Sequence, residues 1–297
     1  PRSLVGKFPS DDELSRATGV QLQNYLKEVS FYRELQERVT IRTPRCYHAE
    51  IAGAGPEFAL LLEDLAPAQQ GDQLEGVTAD VACAAVRELA GLHASSWNDD
   101  SLVGIEWLGG PSEESGAMVR ELYRAQLTGF LERYGPALTR EQADVIAAFG
   151  HSDRVLGVPP VGPRSIVHVD FRPDNLLIDT GLQPPRVTTV DWQSLTLGNP
   201  LADLAYFVGG GLRPEVRAEC EAQVVQAYRD ALAAAGVTDY PDEAFRRDYR
   251  LGSFSGFSVT VVASMLVQRT ERGDAMFTAM AQRHAQHAID LDAATLL

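Results

Sequence analysis

Basic charge is scarce in this chain: 26 lysines and arginines stand against 41 aspartates and glutamates, a net charge of −15. That balance gives no electrostatic footprint for nucleic acid and repels an anionic membrane surface, so neither partner is expected. Cysteine is scarcer still. Cys46, Cys83 and Cys220 lie far apart among apolar or helical neighbours, which indicates neither a disulfide framework nor a zinc site and points to a reducing, cytoplasmic setting. Long apolar runs are missing too. The longest uncharged stretch, Leu251 to Gln268, is diluted by Gly, Ser and Thr and reads as a buried helix rather than a bilayer span. Internal repeats and low-complexity tracts are absent, as are the charged head and apolar centre of a signal peptide. The abrupt start at Pro1-Arg2-Ser3 leads us to expect a missing upstream segment.

What is present is ample apolar material, 45% of 297 residues, enough to bury the core of one large domain or two lobes. The first part mixes strands (Leu4 to Phe8, Cys46 to Ala52, Phe58 to Leu62) with a helix over about 19 to 39. From Thr78 the pattern turns helical, with helices near 113 to 133, 139 to 150, 200 to 208, 214 to 235, 242 to 270 and 273 to 292. A small lobe, 1–65, and a large mainly helical lobe, 66–297, follow from that shift. Gly209-Gly210-Gly211 reads as a helix-ending loop, since it lacks the strand and the Lys-Ser/Thr of a phosphate loop. His284 and His287 read as a solvated helix face, and His93 and His151 have no identifiable partner.

One constellation carries chemistry. The string His168-Val169-Asp170-Phe171-Arg172-Pro173-Asp174-Asn175 follows an apolar strand and precedes a hairpin formed by Leu176 to Ile178 and Val187 to Val190, after which comes Asp191. Three oxygen-bearing side chains should then converge on one end of a small sheet. Asp170 is suited to take a proton from a hydroxyl nucleophile, and Asn175 and Asp191 to offer the hard oxygens that magnesium on a triphosphate requires. The competing account is a solvated turn whose Asn and Asp merely end strands.

Two further features fit that chemistry. Glu28 sits on a helix flank beside Tyr25, Phe31, Tyr32 and Leu35, where a carboxylate is costly without a cation, and Lys7 on the adjoining strand is a candidate partner able to hold phosphates. Otherwise Lys7 is a solvated strand end and Glu28 pairs with Tyr32 or Arg33. Leu60 to Pro67 runs from an apolar strand into an acidic pair and proline. It reads either as a plain strand end or as a hinge whose backbone around Glu63 and Leu65 meets an adenine edge.

Taken together, these residues resemble the protein-kinase-like small-molecule kinases, the aminoglycoside phosphotransferase and choline kinase superfamily, and within it the ecdysteroid-kinase-like group. Pro1 to Pro9 is similar to the lysine strand, Lys27 to Tyr32 to the glutamate helix, Leu61 to Leu65 to the hinge, and Leu92-His93-Ala94 with Trp97 to the helix after it. The strongest matches are His168 to Asn175, Asp191-Trp192-Gln193, and Asn199 to Phe207. The resemblance implies an α+β, bilobal protein-kinase-like fold and an ATP- and Mg2+-dependent transfer to the hydroxyl of a small molecule. It implies Asp170 as catalytic base, Asn175 and Asp191 as magnesium ligands, and Lys7 with Glu28 on the phosphates. Arg172 matches a cation beside the transferred group, although a salt bridge with a neighbouring acid explains it equally. Asp203 is similar to a buried aspartate that steadies the catalytic loop through backbone N–H groups, and His168 should orient that loop. Trp192, Gln193 and Tyr206 either line the acceptor pocket or pack in the core.

Two departures stand out. The family often has Gly where this chain has Val169, and a β-branched residue resists positive φ, so an ordinary backbone angle is expected there. No glycine-rich hairpin precedes Lys7, which has only six residues before it. Either strands have been cut away or nucleotide binding is weakened. The rival reading is therefore a kinase-like regulatory protein without transfer activity, and an aminoglycoside is an alternative acceptor.

Overall fold

The computed structural model describes residues 3–297, so Pro1 and Arg2 of the lysine-strand match lie outside the described residues. A small lobe is built on β1 (Leu4–Lys7), β2 (Cys46–Ile51) and β3 (Phe58–Glu63), antiparallel in the order β1-β3-β2, with α1 (Glu13–Gln21) and α2 (Asn24–Ser30). Alternation along β3 puts Phe58, Leu60 and Leu62 inward, as a half-buried strand requires. The single helix predicted over 19–39 is broken: Gln23 takes φ +59 between α1 and α2, and the chain after Ser30 continues as a π turn and a 3-10 turn to Arg38. Glutamine at a left-handed position carries no local signal of the kind Gly or Asn would give.

The large lobe begins with a short β4 (Gln69–Gln70) and α3 (Ala79–Ser95), whose first turn is capped by the Thr78 hydroxyl accepting from the Val81 N–H. Then come α4 (Glu113–Tyr134) and α5 (Arg140–His151), each opened by a reciprocal capping box. The motif region supplies β5 (Ser165–Val167), β6 (Leu176–Asp179), β7 (Arg186–Thr189) and β8 (Thr196–Gly198). These do not form one sheet: β5 pairs with β8, while β6 and β7 make the hairpin and β4 joins its edge. The strand before His168 thus belongs to a different sheet from the hairpin that follows it.

Five helices complete the lobe: α6 (Pro200–Gly211), α7 (Pro214–Ala234), α8 (Asp242–Gly252), α9 (Ser255–Leu266) and α10 (Glu271–Asp290). The helix predicted over 242–270 is divided at Ser253, whose hydroxyl donates to the Arg250 carbonyl at 2.7 Å, and a Cβ at Gly252 would strike the Leu201 carbonyl where α8 crosses α6. Among the described residues no helix is long and apolar enough to cross a membrane.

Two aromatic-rich cores result. One joins the small lobe to α3, α6 and α7 through Val29, Leu60, Leu89, Phe171, Trp192 and Phe207; the other fills the space between α4, α5, α9 and α10, where Phe149 stacks on Phe254 at 5.1 Å. Each fully buried Leu or Phe contributes roughly 1.5–3 kcal/mol of transfer free energy.

Gly209 to Gly211 belong to α6 rather than to a loop after it, and His284 and His287 are fully buried rather than solvated. The two corrections have one cause. Side chains at Gly209 and Gly210, or at Gly256 of α9, would collide with the two histidine rings, so glycines remote in sequence open a slot for α10. Burial pushes the His284 imidazole down to about 3, and it also holds His287 below its ordinary value against the pull of Glu221. The unfolded chain takes up these protons near pH 6.5. Below that pH it binds more protons than the folded state, so stability falls as pH falls, by up to about 1.4 kcal/mol per pH unit for each ring. Urea unfolding should therefore show a loss of about 2 kcal/mol from His284 between about pH 6.5 and 5, and His284→Asn should flatten that slope. A midpoint insensitive to pH across this range would refute the neutral-ring account.

Candidate active site

The loop after β5 is held from below. Asp203, 1% exposed on α6, accepts the backbone N–H of His168 at 2.5 Å and of Val169 at 2.8 Å. Nε2 of His93 stands 3.5 Å from the same carboxylate and its Nδ1 meets the Tyr228 hydroxyl at 2.7 Å, so His93 does have partners. The His168 ring is buried against Trp192 and donates through Nε2 to the Val190 carbonyl at 3.1 Å, tying the loop to the end of β7. Val169 does not keep an ordinary angle: its φ is +72. A left-handed L-residue costs roughly 1–2 kcal/mol, and the two bonds to Asp203 hold it there. Because glycine loses only about 0.5–1 kcal/mol to its unfolded-state freedom, Val169→Gly should be neutral or stabilising in urea unfolding. At buried Val167, in an extended strand, the same change should cost about 2 kcal/mol or more.

Asp170 is fixed on both oxygens. The Tyr206 hydroxyl donates to Oδ1 at 2.9 Å, Arg172 Nε lies 3.0 Å from Oδ1, and Asn175 Nδ2 donates to Oδ2 at 2.9 Å and to the Asp170 carbonyl at 2.8 Å. Both acceptors of that amide are oxygens, which forces its orientation and turns Asn175 Oδ1 away from Asp170. Arg172 also pairs with Asp174 at 2.6 Å, and Asp174 accepts the Gln73 N–H. The guanidinium thus bridges two acids, the salt-bridge account of the sequence. Burial opposes its charge, but Asp170 and Asp174 outweigh that and hold its pKa above the usual range.

Hairpin register brings the other half close. Leu176 faces Thr189, and the Val190 N–H bonds the Asn175 carbonyl at 3.0 Å, so Asp191 stands one residue beyond the point opposite Asn175. Asp191, at φ +66, receives Lys7 Nζ on Oδ1 at 2.8 Å, and Gln193 Nε2 lies 3.3 Å from its Oδ2. Lys7 reaches Glu28 at 2.6 Å as well. Burial alone would lower the Lys7 pKa, but the charges of Glu28 and Asp191 hold it above its ordinary value. Burial pushes the Glu28 carboxyl up, against the pull of Lys7 and of a hydrogen bond from the Trp192 backbone. The structure therefore brings Lys7, Glu28 and Asp191 together, with Asn175 joined to the same end of the hairpin through the Val190 N–H and Asp170 hydrogen-bonded to Asn175.

Glu63 and Leu65 lie apart from that group. Lys7 faces Leu60 in the sheet, so Glu63 is three residues further along, about 10 Å at strand rise. Its N–H is bonded to the Arg45 carbonyl and the Leu65 carbonyl accepts from the Ala68 N–H, so two of their backbone groups are committed within the chain. Trp192 does not line a pocket; it is fully buried, stacked on Phe31 at 3.8 Å. Tyr206 is buried too and serves Asp170 through its hydroxyl. Sequence reasoning missed that role, although the signal was present: Tyr206 follows Asp203 by three positions in α6, so both face the loop.

A cavity of about 730 Å³ opens beside the loop, walled by Val167 and Val169 on one side and by α5, α8, α9 and the 154–161 segment on the others.

Comparison with known proteins agrees with this architecture. The profile of the phosphotransferase enzyme family matches residues 14–244. No curated protein matches. Among solved structures, a GDP complex of wild-type aminoglycoside 2'-phosphotransferase-IIIa superposes with TM-score 0.59 at 13% identity, covering 95% of this chain and 86% of that one. Macrolide 2'-phosphotransferase MphH from Brachybacterium faecium gives 0.51 at 16%, covering 93% and 84%. An aminoglycoside phosphotransferase from Alicyclobacillus acidocaldarius gives 0.52 at 13%, covering 97% and 86%. At these identities the superpositions speak for the fold, a small sheet lobe on a helical lobe as in protein-kinase-like phosphotransferases. The profile match spans well over half of the sequence, and the chain belongs to the phosphotransferase enzyme family.

Proposed function

We propose that this protein is an ATP- and Mg-dependent phosphotransferase that phosphorylates a hydroxyl of a small molecule. The observation that carries the reading is the Asp170 carboxylate, fixed by three side chains, one of which, Asn175, is tied by its carbonyl to Val190, the neighbour of Asp191 in the Lys7–Glu28–Asp191 group. Asp170 accepts the acceptor's hydroxyl proton as the new bond to the γ-phosphorus forms and the bond to the β–γ bridging oxygen breaks, releasing ADP. Lys7, kept charged by its two acids, holds phosphate oxygens.

Asn175 Oδ1 and the Asp191 carboxylate are hard oxygen donors on neighbouring ends of one hairpin, and they suit magnesium. Among the described residues no group of three or more His, Cys, Asp or Glu forms a metal site by itself. A magnesium ion carried on phosphates needs only one or two protein oxygens. When bound it neutralises charge on the transferring group. Support also comes from relatives of the same fold, which are described in complex with GDP, kanamycin and gentamicin.

The test is a thermal-shift titration followed by an ATP-consumption screen over hydroxylated metabolites, sterols, amino alcohols and aminoglycosides. Saturating Mg-ATP should raise Tm by several degrees, since about 2.7 kcal/mol accrues at a hundredfold excess over Kd, and EDTA should remove most of the rise. No shift, together with no acceptor-dependent turnover, would leave the regulatory alternative in possession.

A further inference from the structure

The cavity beside the catalytic loop has a chemistry that the charge of the whole chain does not foretell. Much of its lining is apolar: Phe149 and Phe254 are buried, Val155 and Leu251 partly so, and Val158 and Val161 exposed. Val158 is 42% exposed and Val161 80%, so the apolar lining continues out to the surface along this edge. Val169, its neighbour on the loop side, is bonded directly to Asp170, so the wall lies one residue from the proposed base.

The charges around the cavity are cationic in a chain of net −15. Lys27, Arg154 and Arg247 line it against a single carboxylate, Asp248. That carboxylate is already spent: Oδ2 accepts from Asn199 and Tyr240, and Oδ1 accepts twice from Arg247. It offers nothing to an incoming ammonium. Lys27 is different. It stands next to Glu28 on α2 but turns to the other side, partly buried, and among the described residues no acid pairs with it. Burial alone accounts for the lowering of its pKa. An ammonium in that position is stabilised by an anion that the chain does not supply.

We propose that this cavity takes the acceptor, and that the acceptor is a largely apolar alcohol carrying one anionic group such as a carboxylate, held by Lys27 at the mouth while its hydroxyl reaches Asp170. The assignment rests on the phosphotransferase reading above for the word acceptor. The cavity's size is ordinary for a site that encloses a small molecule. A polycationic antibiotic would meet Lys27 and Arg154 here, with the one lining carboxylate, Asp248, already paired to Arg247.

Calorimetry without nucleotide tests it, using 12-hydroxydodecanoate, its methyl ester, 12-amino-1-dodecanol and kanamycin as probes. The acid should bind about tenfold more tightly than the ester or the amine, the factor that about 1.4 kcal/mol represents. Lys27→Met should erase the difference between acid and ester, and Lys27→Arg should keep it. Tighter binding of kanamycin or the amine, no binding of the acid, or an acid-to-ester ratio unchanged in Lys27→Met would overturn the proposal. Phosphate transfer from Mg-ATP, followed in parallel, separates it from the reading beneath it. Acid binding that depends on Lys27 but is never followed by transfer upholds the cavity chemistry and sinks the kinase. Transfer to kanamycin without any preference for the acid sinks the cavity chemistry and upholds the kinase.

Discussion

Asp170→Asn should lower kcat by about three orders of magnitude while leaving the affinity for Mg-ATP within about twofold, the loss appropriate to removal of a positioned proton acceptor. The substitution keeps shape and most contacts. What it removes is an oxygen able to receive the acceptor's proton, and it sets an amide N–H against donors from Tyr206 and Arg172. The Asp170 side chain is a quarter exposed, so the lost pairing with Arg172 should cost only about 1 kcal/mol of stability. Nucleotide affinity should survive because Lys7, Glu28 and Asp191 are organised by other elements. Tyr206→Phe supplies the contrast: the base remains but loses one hydrogen bond, and a fall of about tenfold in kcat is expected. An Asp170→Asn enzyme as fast as wild type on a confirmed acceptor would remove Asp170 from the chemistry.

How much of this was legible in the sequence depends on how local each signal is. The starts of α3, α4 and α5 were readable because their N-caps, Thr78, Ser112 and Thr139, sit beside the helices they begin. Lys7 and Glu28 could be joined because a carboxylate on an apolar helix flank demands a cation. Contacts made by residues remote in sequence were silent. Nothing near His284 or His287 announces the slot cut by Gly209, Gly210 and Gly256, so a histidine pair at helical spacing looked solvated. Nothing near Ile166 says that its partner is Leu197 rather than the adjoining hairpin. Trp192 could be pocket wall or core on its sequence neighbours alone, and only the packing of Phe31 against its face decides for the core.

Val169 was misread for a different reason, and it leads to the second large effect. The rule that β-branched residues avoid positive φ is sound as an energy, roughly 1–2 kcal/mol or more. It does not forbid the conformation when something stronger imposes it. Here the something is Asp203, whose two oxygens each take one backbone N–H, from His168 and from Val169. Asp203→Asn halves that capacity, because an amide has one acceptor oxygen and presents its nitrogen to the second N–H. A buried N–H left unmet costs about 1–3 kcal/mol, and the lost charge assistance adds to it. Relief of burying a carboxylate works in the opposite direction, but two good bonds at 2.5 and 2.8 Å offset most of that penalty in the native protein. We therefore expect Asp203→Asn to destabilise the fold by about 2–4 kcal/mol and to lower kcat at least about tenfold as Val169 relaxes and Asp170 moves with it. Val169→Gly in the same chain removes the strain that Asp203 was opposing, so the double variant should recover about 1 kcal/mol relative to the sum of the single effects. Urea unfolding of the four proteins in that cycle measures the coupling directly. Strict additivity would mean that Asp203 does not hold the loop in its left-handed turn, and that the positive φ at Val169 is imposed from elsewhere.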